Sequence, residues 1–475
     1  MSDCCDKAST SPDLLVIGGG SGGFSAAITA AELGAQVVVA GEGTIGGTCV
    51  NVGCVPSKAL IRAMEALHKA NGIDRFSGLK GSAQLQSWPA LVAQKQALVD
   101  ELRQAKYENL LPEYPTVSYV EGRASFTGEG LGVLVGDVHY TPRKVIIATG
   151  SQSALPPIDG IQSVPVLDST AALALGTLPQ SLLVIGGGVI GVELGQLFAR
   201  AGVSVTLCCR SRLLPEAEPE VSVALAIQLR SEGVQVREGI NYQKIESNAG
   251  GVVLTCETAE GEITLEAEQV LAAAGRKPNT QSLKLENIGV DVTAHGGIVV
   301  DEFMQSTLTD VYAVGDVTGE DMFVYMAAYG GKLAARNALN GNTQSYSNAA
   351  MPAVVFSDPQ VASVGLSEAQ AKASGIKVKT SVVALDHVPR FIASRETTGV
   401  IKLVADAETD RLLGACVFAP EAGDMIQTVV MSLKAELTSR ELGETIFPYL
   451  TAVEGLKLAA QSFDKDVRKL SCCAG

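Results

Sequence analysis

The sequence predicts an α/β protein made of two Rossmann-like units and a C-terminal α+β domain, and three observations lead to it. A short apolar strand runs straight into a glycine turn at Gly18-Gly19-Gly20-Ser21-Gly22-Gly23. The same grammar recurs at Gly186-Gly187-Gly188-Val189-Ile190-Gly191, and the texture of the chain changes beyond Asn348. Composition agrees. At 475 residues the chain has room for about three domains of ordinary size. Gly 50 and hydrophobic 47% with only 5% aromatic describe small apolar residues able to build large buried cores.

The first unit opens with the strand Leu14-Leu15-Val16-Ile17, the glycine turn, an alanine-rich helix from Phe24 to Leu33 and a second strand from Gln36 to Ala40. Gly18, Gly20 and Gly23 form a GxGxxG turn in its required setting. There backbone amides approach a pyrophosphate at a helix N-terminus, where the dipole favours anions. The second unit repeats this as Leu182-Leu183-Val184-Ile185, then Gly186, Gly188 and Gly191, a helix to Ala201 and a strand from Val203 to Leu207. One such turn is weak evidence; two in context imply two dinucleotides on one chain.

An NAD-binding unit usually ends its second strand in a carboxylate for the ribose hydroxyls. Here the end reads Cys208-Cys209-Arg210-Ser211-Arg212. Arg210 and Arg212 suit a 2′-phosphate and favour NADPH over NADH, a solvated basic turn being the alternative.

Val145 to Gly150 and Val270 to Arg276 are strands ending at Gly150 and Gly275, where the chain crosses between nucleotide domains, and Val311 to Asp316 is a strand that delivers a carboxylate. Met351 to Phe356 and Gly399 to Ala405 read as strands, Asp424 to Leu433 and Ser439 to Leu442 as helices. The expected organisation is residues 1–160 and 277–345 for the first nucleotide domain, 161–276 for the second and 346–475 for the separate C-terminal domain.

The net charge of −15 argues against a nucleic-acid partner or an anionic membrane surface, either of which calls for a basic face. Met1-Ser2-Asp3-Cys4-Cys5-Asp6 lacks the basic start and apolar stretch of a signal peptide. No run of 18 apolar residues predicts a membrane span, so the expected location is cytoplasmic.

Cys49 and Cys54 stand in Gly46-Gly47-Thr48-Cys49-Val50-Asn51-Val52-Gly53-Cys54-Val55-Pro56-Ser57-Lys58, little more than a helical turn apart. The spacing suits a redox-active pair. A structural zinc site needs two more ligands, and His68, His139, His295 and His387 are scattered with no CxxC in the chain. Thiols at a helix N-terminus or near a cation ionise more easily, and the thiolate is the reactive form. Three adjacent pairs, Cys4-Cys5, Cys208-Cys209 and Cys472-Cys473, bridge only with strain and as dithiols invite soft metals. Cys256 and Cys416, within apolar strand patterns, read as buried structural residues.

Together these residues resemble the pyridine nucleotide-disulfide oxidoreductases, over nearly the whole chain. The resemblance implies FAD at the first turn and NADPH at the second, with a C-terminal dimerisation domain. It implies that Cys54 faces the flavin and that Cys49 is the outer, interchange thiol. Lys58 and Glu193 match the family's ion pair beside flavin and nicotinamide; an ordinary helix surface charge is the plainer reading of Glu193. Asp316 matches the carboxylate on the ribityl side, Thr48 and Ala124 match FAD contacts, and Val324 falls in the segment that follows alongside. The family's ribose-binding acid stands eight residues before the first redox cysteine, which here is Gly41. Glu42, followed by Gly43, comes one position later, and a small shift of the turn would let Glu42 serve.

Disulfide reductases of the family carry a His-Pro-Thr-x-x-Glu stretch whose histidine, given by the partner subunit, moves protons to the leaving thiol. Here Phe447-Pro448-Tyr449-Leu450-Thr451-Ala452-Val453-Glu454 places Tyr449 where the histidine belongs and keeps Glu454. A phenol of unperturbed pKa about 10 is a poor base near neutrality. The C-terminus, ending Leu470-Ser471-Cys472-Cys473-Ala474-Gly475, is similar to that of the mercuric reductases within the family. That resemblance implies Hg(II) as substrate, bound by Cys49 and Cys54. It implies a tail whose Cys472 and Cys473 take the ion from small thiols and pass it to the other subunit of a homodimer. Tyr107 matches the second active-site tyrosine, although it also ends an amphipathic helix with Leu91, Leu98 and Leu102, where an aromatic is often core. A dihydrolipoamide dehydrogenase or glutathione reductase shares almost every motif but leaves Tyr449 and the tail unexplained. A flavoprotein that sequesters metal without turnover is the rival of another class.

Overall fold

The computed structural model describes residues 10–469. The described residues form two compact units, one of residues 10–59, 92–154 and 276–348, the other of 60–91, 155–275 and 349–469.

In the first unit, β1 (Leu14–Ile17) enters α1 (Ser21–Glu32) and the chain returns as β2 (Val37–Gly41). A parallel five-stranded sheet runs in the order Val311–Ala313, Lys144–Ile147, β1, β2 and β3 (Val117–Glu121). All four residues of β1 are buried because the sheet is covered on both faces, which is why the strand reads as continuous hydrophobe rather than as an alternation. Leu15 and Ile17 face one core with Phe126, Val133 and Val311, while Leu14 and Val16 face the other with Ala26, Ala30 and Leu333. On that second face α1 lies so close to helix Val324–Asn340 that a Cβ on Gly331 would fall 2.3 Å from the Gly22 carbonyl oxygen.

The second unit holds a sheet of the same kind, ordered Gln235–Arg237, Ser204–Cys208, Ser181–Ile185, Gln269–Ala272 and Val166–Leu167, all parallel. It also carries an antiparallel five-stranded sheet, Pro352–Val355, Gln360–Gly365, Leu412–Ala419, Val400–Asp406 and Val378–Ala384. Helices Ala422–Lys434 and Glu454–Gln461 pack on it through Met425, Ile426, Val429, Leu456 and Ala459. A buried ion cluster braces this unit: Lys402 Nζ lies 2.9 Å from Glu218, 3.0 Å from Glu220 and 2.7 Å from Glu368, with its side chain 1% exposed.

Candidate active site

The two glycine turns are built alike. A Cβ on Gly18 would fall 2.2 Å from the Ala148 carbonyl oxygen and one on Gly23 1.9 Å from that of Gly18; the equivalents at Gly186 and Gly191 would fall 2.2 Å from Ala273 and 1.9 Å from Gly186. Backbone fills the side-chain space at both turns, and only glycine leaves room for it. Gly20 and Gly188 begin their helices with no side-chain cap, so the first amides stay available to an anion. In the first unit the turn opens on a cleft of about 760 Å³, lined among others by Gly18, Gly20, Thr48, Ala124, Gly150 and Asn279. These residues fit an extended dinucleotide such as FAD. Asp316 accepts a 2.6 Å hydrogen bond from Ser151, which in turn accepts one of 2.7 Å from Arg276. Val324 is the first residue of its helix.

The cysteine motif folds as α2 (Gly47–Asn51) and α3 (Cys54–Asn71). Asn51 ties the loop by donating to the Ile45 carbonyl at 2.8 Å and to that of Gly47 at 2.9 Å. Cys49 and Cys54 are half-buried free thiols joined by a hydrogen bond. That bond and burial hold the Cys49 thiol well above its ordinary range, while the Cys54 backbone N–H and the Lys58 charge act the other way. The expectation of easy ionisation is therefore corrected for Cys49: with Cys54 beside it, its proton is retained, as for two acids sharing one site.

Tyr107 stands beside this pair. Helix Trp88–Arg103 ends in a π-helical turn, Gln104–Glu108, closed by a 2.8 Å bond from the Asn109 N–H to the Gln104 carbonyl. The wider turn carries Tyr107 against Gly46, where a Cβ would meet its ring at 3.1 Å. Its hydroxyl lies 3.0 Å from Ser21 Oγ and its ring meets Phe24 edge-on at 4.9 Å. Burial raises its pKa, and both cysteines add to the rise. The expected stripe on this helix is corrected: Trp88, Lys95 and Val99 are buried, whereas Leu98 is exposed.

Glu193 is no surface charge; it is buried in helix Val189–Arg200 and accepts the Phe356 N–H at 2.9 Å. It belongs to the second unit, whereas Lys58 belongs to the first. Glu42 is exposed at the cleft rim and paired with Arg123 at 2.8 Å. At the second turn Arg210 is exposed, while Arg212 donates to its own loop, to the Pro215 carbonyl at 2.7 Å and that of Ala217 at 2.8 Å. Gly275 follows strand Gln269–Ala272 with φ +133°. Tyr449 is exposed in a loop shaped by Glu454, whose buried carboxylate accepts the Leu450 N–H at 3.1 Å. Cys472 and Cys473 lie outside the described residues, as do Cys4 and Cys5. Among the described residues no three His, Cys, Asp or Glu side chains converge to hold a metal.

Sequence reasoning missed Tyr119 and Tyr325. Tyr119 lines the cleft from β3. Tyr325 follows Val324, and burial together with Asp321 and Cys54 pushes its phenol up to about 12. Its signal was an aromatic in the first turn of a helix that starts soon after Asp316.

The fold and the paired thiols define the class. The chain belongs to the pyridine nucleotide-disulphide oxidoreductase family: the model of that description matches residues 12–349, and the family's dimerisation domain matches 351–460, which supports a homodimer. It is 47% identical to a mercuric reductase of Bacillus cereus over 99% of this chain and 74% of that protein. It is 43% identical to a mercuric reductase of Streptomyces lividans over 99% of this chain and 100% of that one. Among solved structures, the HOCl-induced flavoprotein disulfide reductase RclA of Escherichia coli matches with a TM-score of 0.82 at 29% identity, covering 94% of this chain and 99% of that one. Among the described residues no helix is long and apolar enough to cross a membrane.

Proposed function

We infer that this protein is a mercury(II) reductase that uses FAD and NADPH, by the reaction NADPH + Hg(II) → NADP⁺ + H⁺ + Hg(0). The observation that carries it is identity of 43% and 47% to proteins named mercuric reductases, over nearly the whole chain. Bound FAD supplies two-electron transfer between the nicotinamide and the substrate.

The chain's own residues bind, orient and handle protons. Cys49 and Cys54 hold Hg(II) as thiolates, so Cys49 must surrender its retained proton when the metal arrives. Lys58 favours that thiolate, and its partner in the resemblance is Glu193. Tyr107 from one subunit and Tyr449 from the other flank the ion. Cys472 and Cys473 of the partner subunit accept mercury from small thiols and deliver it to Cys49 and Cys54, so no single transfer frees the ion. The FAD residues are Gly18, Gly20, Gly23, Gly43, Thr48, Ala124, Gly150, Asp316 and Val324, with Glu42 at the rim of their cleft. The NADPH residues are Gly186, Gly188, Gly191, Arg210, Arg212 and Gly275. Residues 1–160 with 277–345, 161–276 and 346–475 divide as FAD, NADPH and dimerisation domains, and the protein is cytoplasmic.

The test is NADPH oxidation by the purified protein with Hg(II) and excess thiol, against lipoamide and glutathione disulfide. Mercury outpacing both disulfides is expected; the reverse order overturns the assignment. Cys472→Ala/Cys473→Ala should lose turnover on thiol-ligated mercury while retaining FAD, and unchanged turnover would remove the tail from the path.

A further inference from the structure

A dinucleotide turn of this kind normally reads its adenosine ribose with a carboxylate at the end of the second strand. That place is Gly41, the last residue of β2. The structure explains the glycine. Tyr119 stands on the neighbouring β3, paired with Val39. Its hydroxyl reaches across the strand ends. A Cβ on Gly41 would lie 1.9 Å from Tyr119 Oη and 2.6 Å from Cζ, and a Cβ on Gly19 would lie 2.9 Å from the same oxygen. Tyr119 thus fills the space an acidic side chain would need. The phenol lines the cleft with Gly18, Gly19 and Gly20. Its hydroxyl makes no hydrogen bond among the described residues, and no side-chain oxygen in them is both enclosed and unpartnered.

We propose that Tyr119, admitted by glycine at position 41, replaces the ribose-binding carboxylate of the first site, its hydroxyl hydrogen-bonding the adenosine ribose of FAD. This rests on the placing of FAD at the first turn under the proposed function. The other candidate, Glu42, is already engaged by Arg123, whose Nε lies 3.0 and 3.2 Å from the two carboxylate oxygens. Both side chains are more than half exposed, so salt screens what they offer a ligand. A phenol both donates and accepts. Burial raises the Tyr119 pKa, so it stays neutral and its bond does not titrate across the working pH range.

The experiment dilutes purified holoenzyme to nanomolar concentration and reads FAD release from the recovered flavin fluorescence, giving Kd. Tyr119→Phe keeps the ring contacts and is expected to weaken FAD about tenfold, whereas Glu42→Gln should change it less than about twofold. Gly41→Glu alone meets the phenol and should lose FAD. Gly41→Glu with Tyr119→Ala restores the usual acid, recovers binding, and makes Kd rise as pH falls below about 5, where a carboxylate protonates. Wild-type affinity in Tyr119→Phe with a tenfold loss in Glu42→Gln would overturn the proposal and leave the flavin site standing. Wild-type protein that holds no FAD would overturn the site itself, and the Tyr119 assignment with it.

Discussion

Arg210 and Arg212 of the proposed NADPH site differ in what holds them, and the difference separates their expected effects. Strand Ser204–Cys208 pairs with Ser181–Ile185 so that Cys208 stands opposite Ile185, as Ala40 stands opposite Ile17 in the first unit. Cys209 therefore occupies the place of the ribose acid, and Arg210 follows it with an exposed side chain. Arg212 spends donors on two carbonyls of its own loop. On the proposed function, Arg210→Ala removes a guanidinium from the 2′-phosphate. Hydrogen bonds to charged groups contribute about 1.5–3 kcal/mol, and exposure places this one toward the lower figure, or roughly ten- to thirtyfold. In steady-state assays kcat/KM for NADPH should fall by that factor while kcat/KM for NADH holds, and the wild-type preference should shrink with added salt. Arg212→Ala should lower both coenzymes alike, because it loosens the loop rather than a phosphate contact. An NADPH-to-NADH ratio within twofold of wild type in Arg210→Ala, or a ratio carried wholly by Arg212, would refute this division of labour.

Further outcomes follow from other sites. The Cys49 pKa is raised above its ordinary 9.0, so above about pH 9 the unfolded chain releases a proton that the reduced fold retains, and stability falls as pH rises. The Tm of reduced wild type should therefore drop more steeply above pH 9 than that of Cys49→Ala; equal slopes would remove Cys49 as the cause. Lys402→Met strands the buried Glu218 carboxylate and should cost about 3–5 kcal/mol in denaturant unfolding, with partial recovery on adding Glu218→Met. A loss under 1 kcal/mol would mean that the cluster is not coupled to folding. Glu454→Ala frees the Leu450 N–H and should lower kcat/KM for Hg(II) about tenfold with flavin content unchanged, while Glu454→Gln, still an acceptor, stays near wild type. Equal losses in both variants would point to charge instead.

What the sequence exposed was whatever local pattern determines. Both glycine turns, their strands and helices, and the burial of Cys256 and Cys416 were legible because strand, glycine and helix follow one another within a few residues. Tyr119 was not, since what matters about it is a register between β2 and β3, whose residues are far apart in the chain. Leu98 misled because the inward face of its helix runs through Trp88, Lys95 and Val99, and a buried lysine is not what a leucine spacing leads one to expect. The retained proton on Cys49 was hidden for another reason. Proximity to a helix start predicts the opposite direction, and only the contact with Cys54 reverses it.

The matched cradles have a consequence for loading. Since Gly18 with Gly23 and Gly186 with Gly191 leave the same few ångströms of room, the turns themselves cannot tell one adenine dinucleotide from the other. On the proposed assignment, discrimination falls to side chains beside the end of each second strand, the Tyr119 phenol of β3 with an Arg123-paired Glu42 in one unit and the exposed Arg210 in the other. On the proposed assignment a 2′-phosphate entering the first cradle would meet Arg123 only in competition with the Glu42 carboxylate that pairs with it. On that assignment a handful of side chains near two strand ends guards against misloading, and those positions are where a coenzyme swap would have to be engineered.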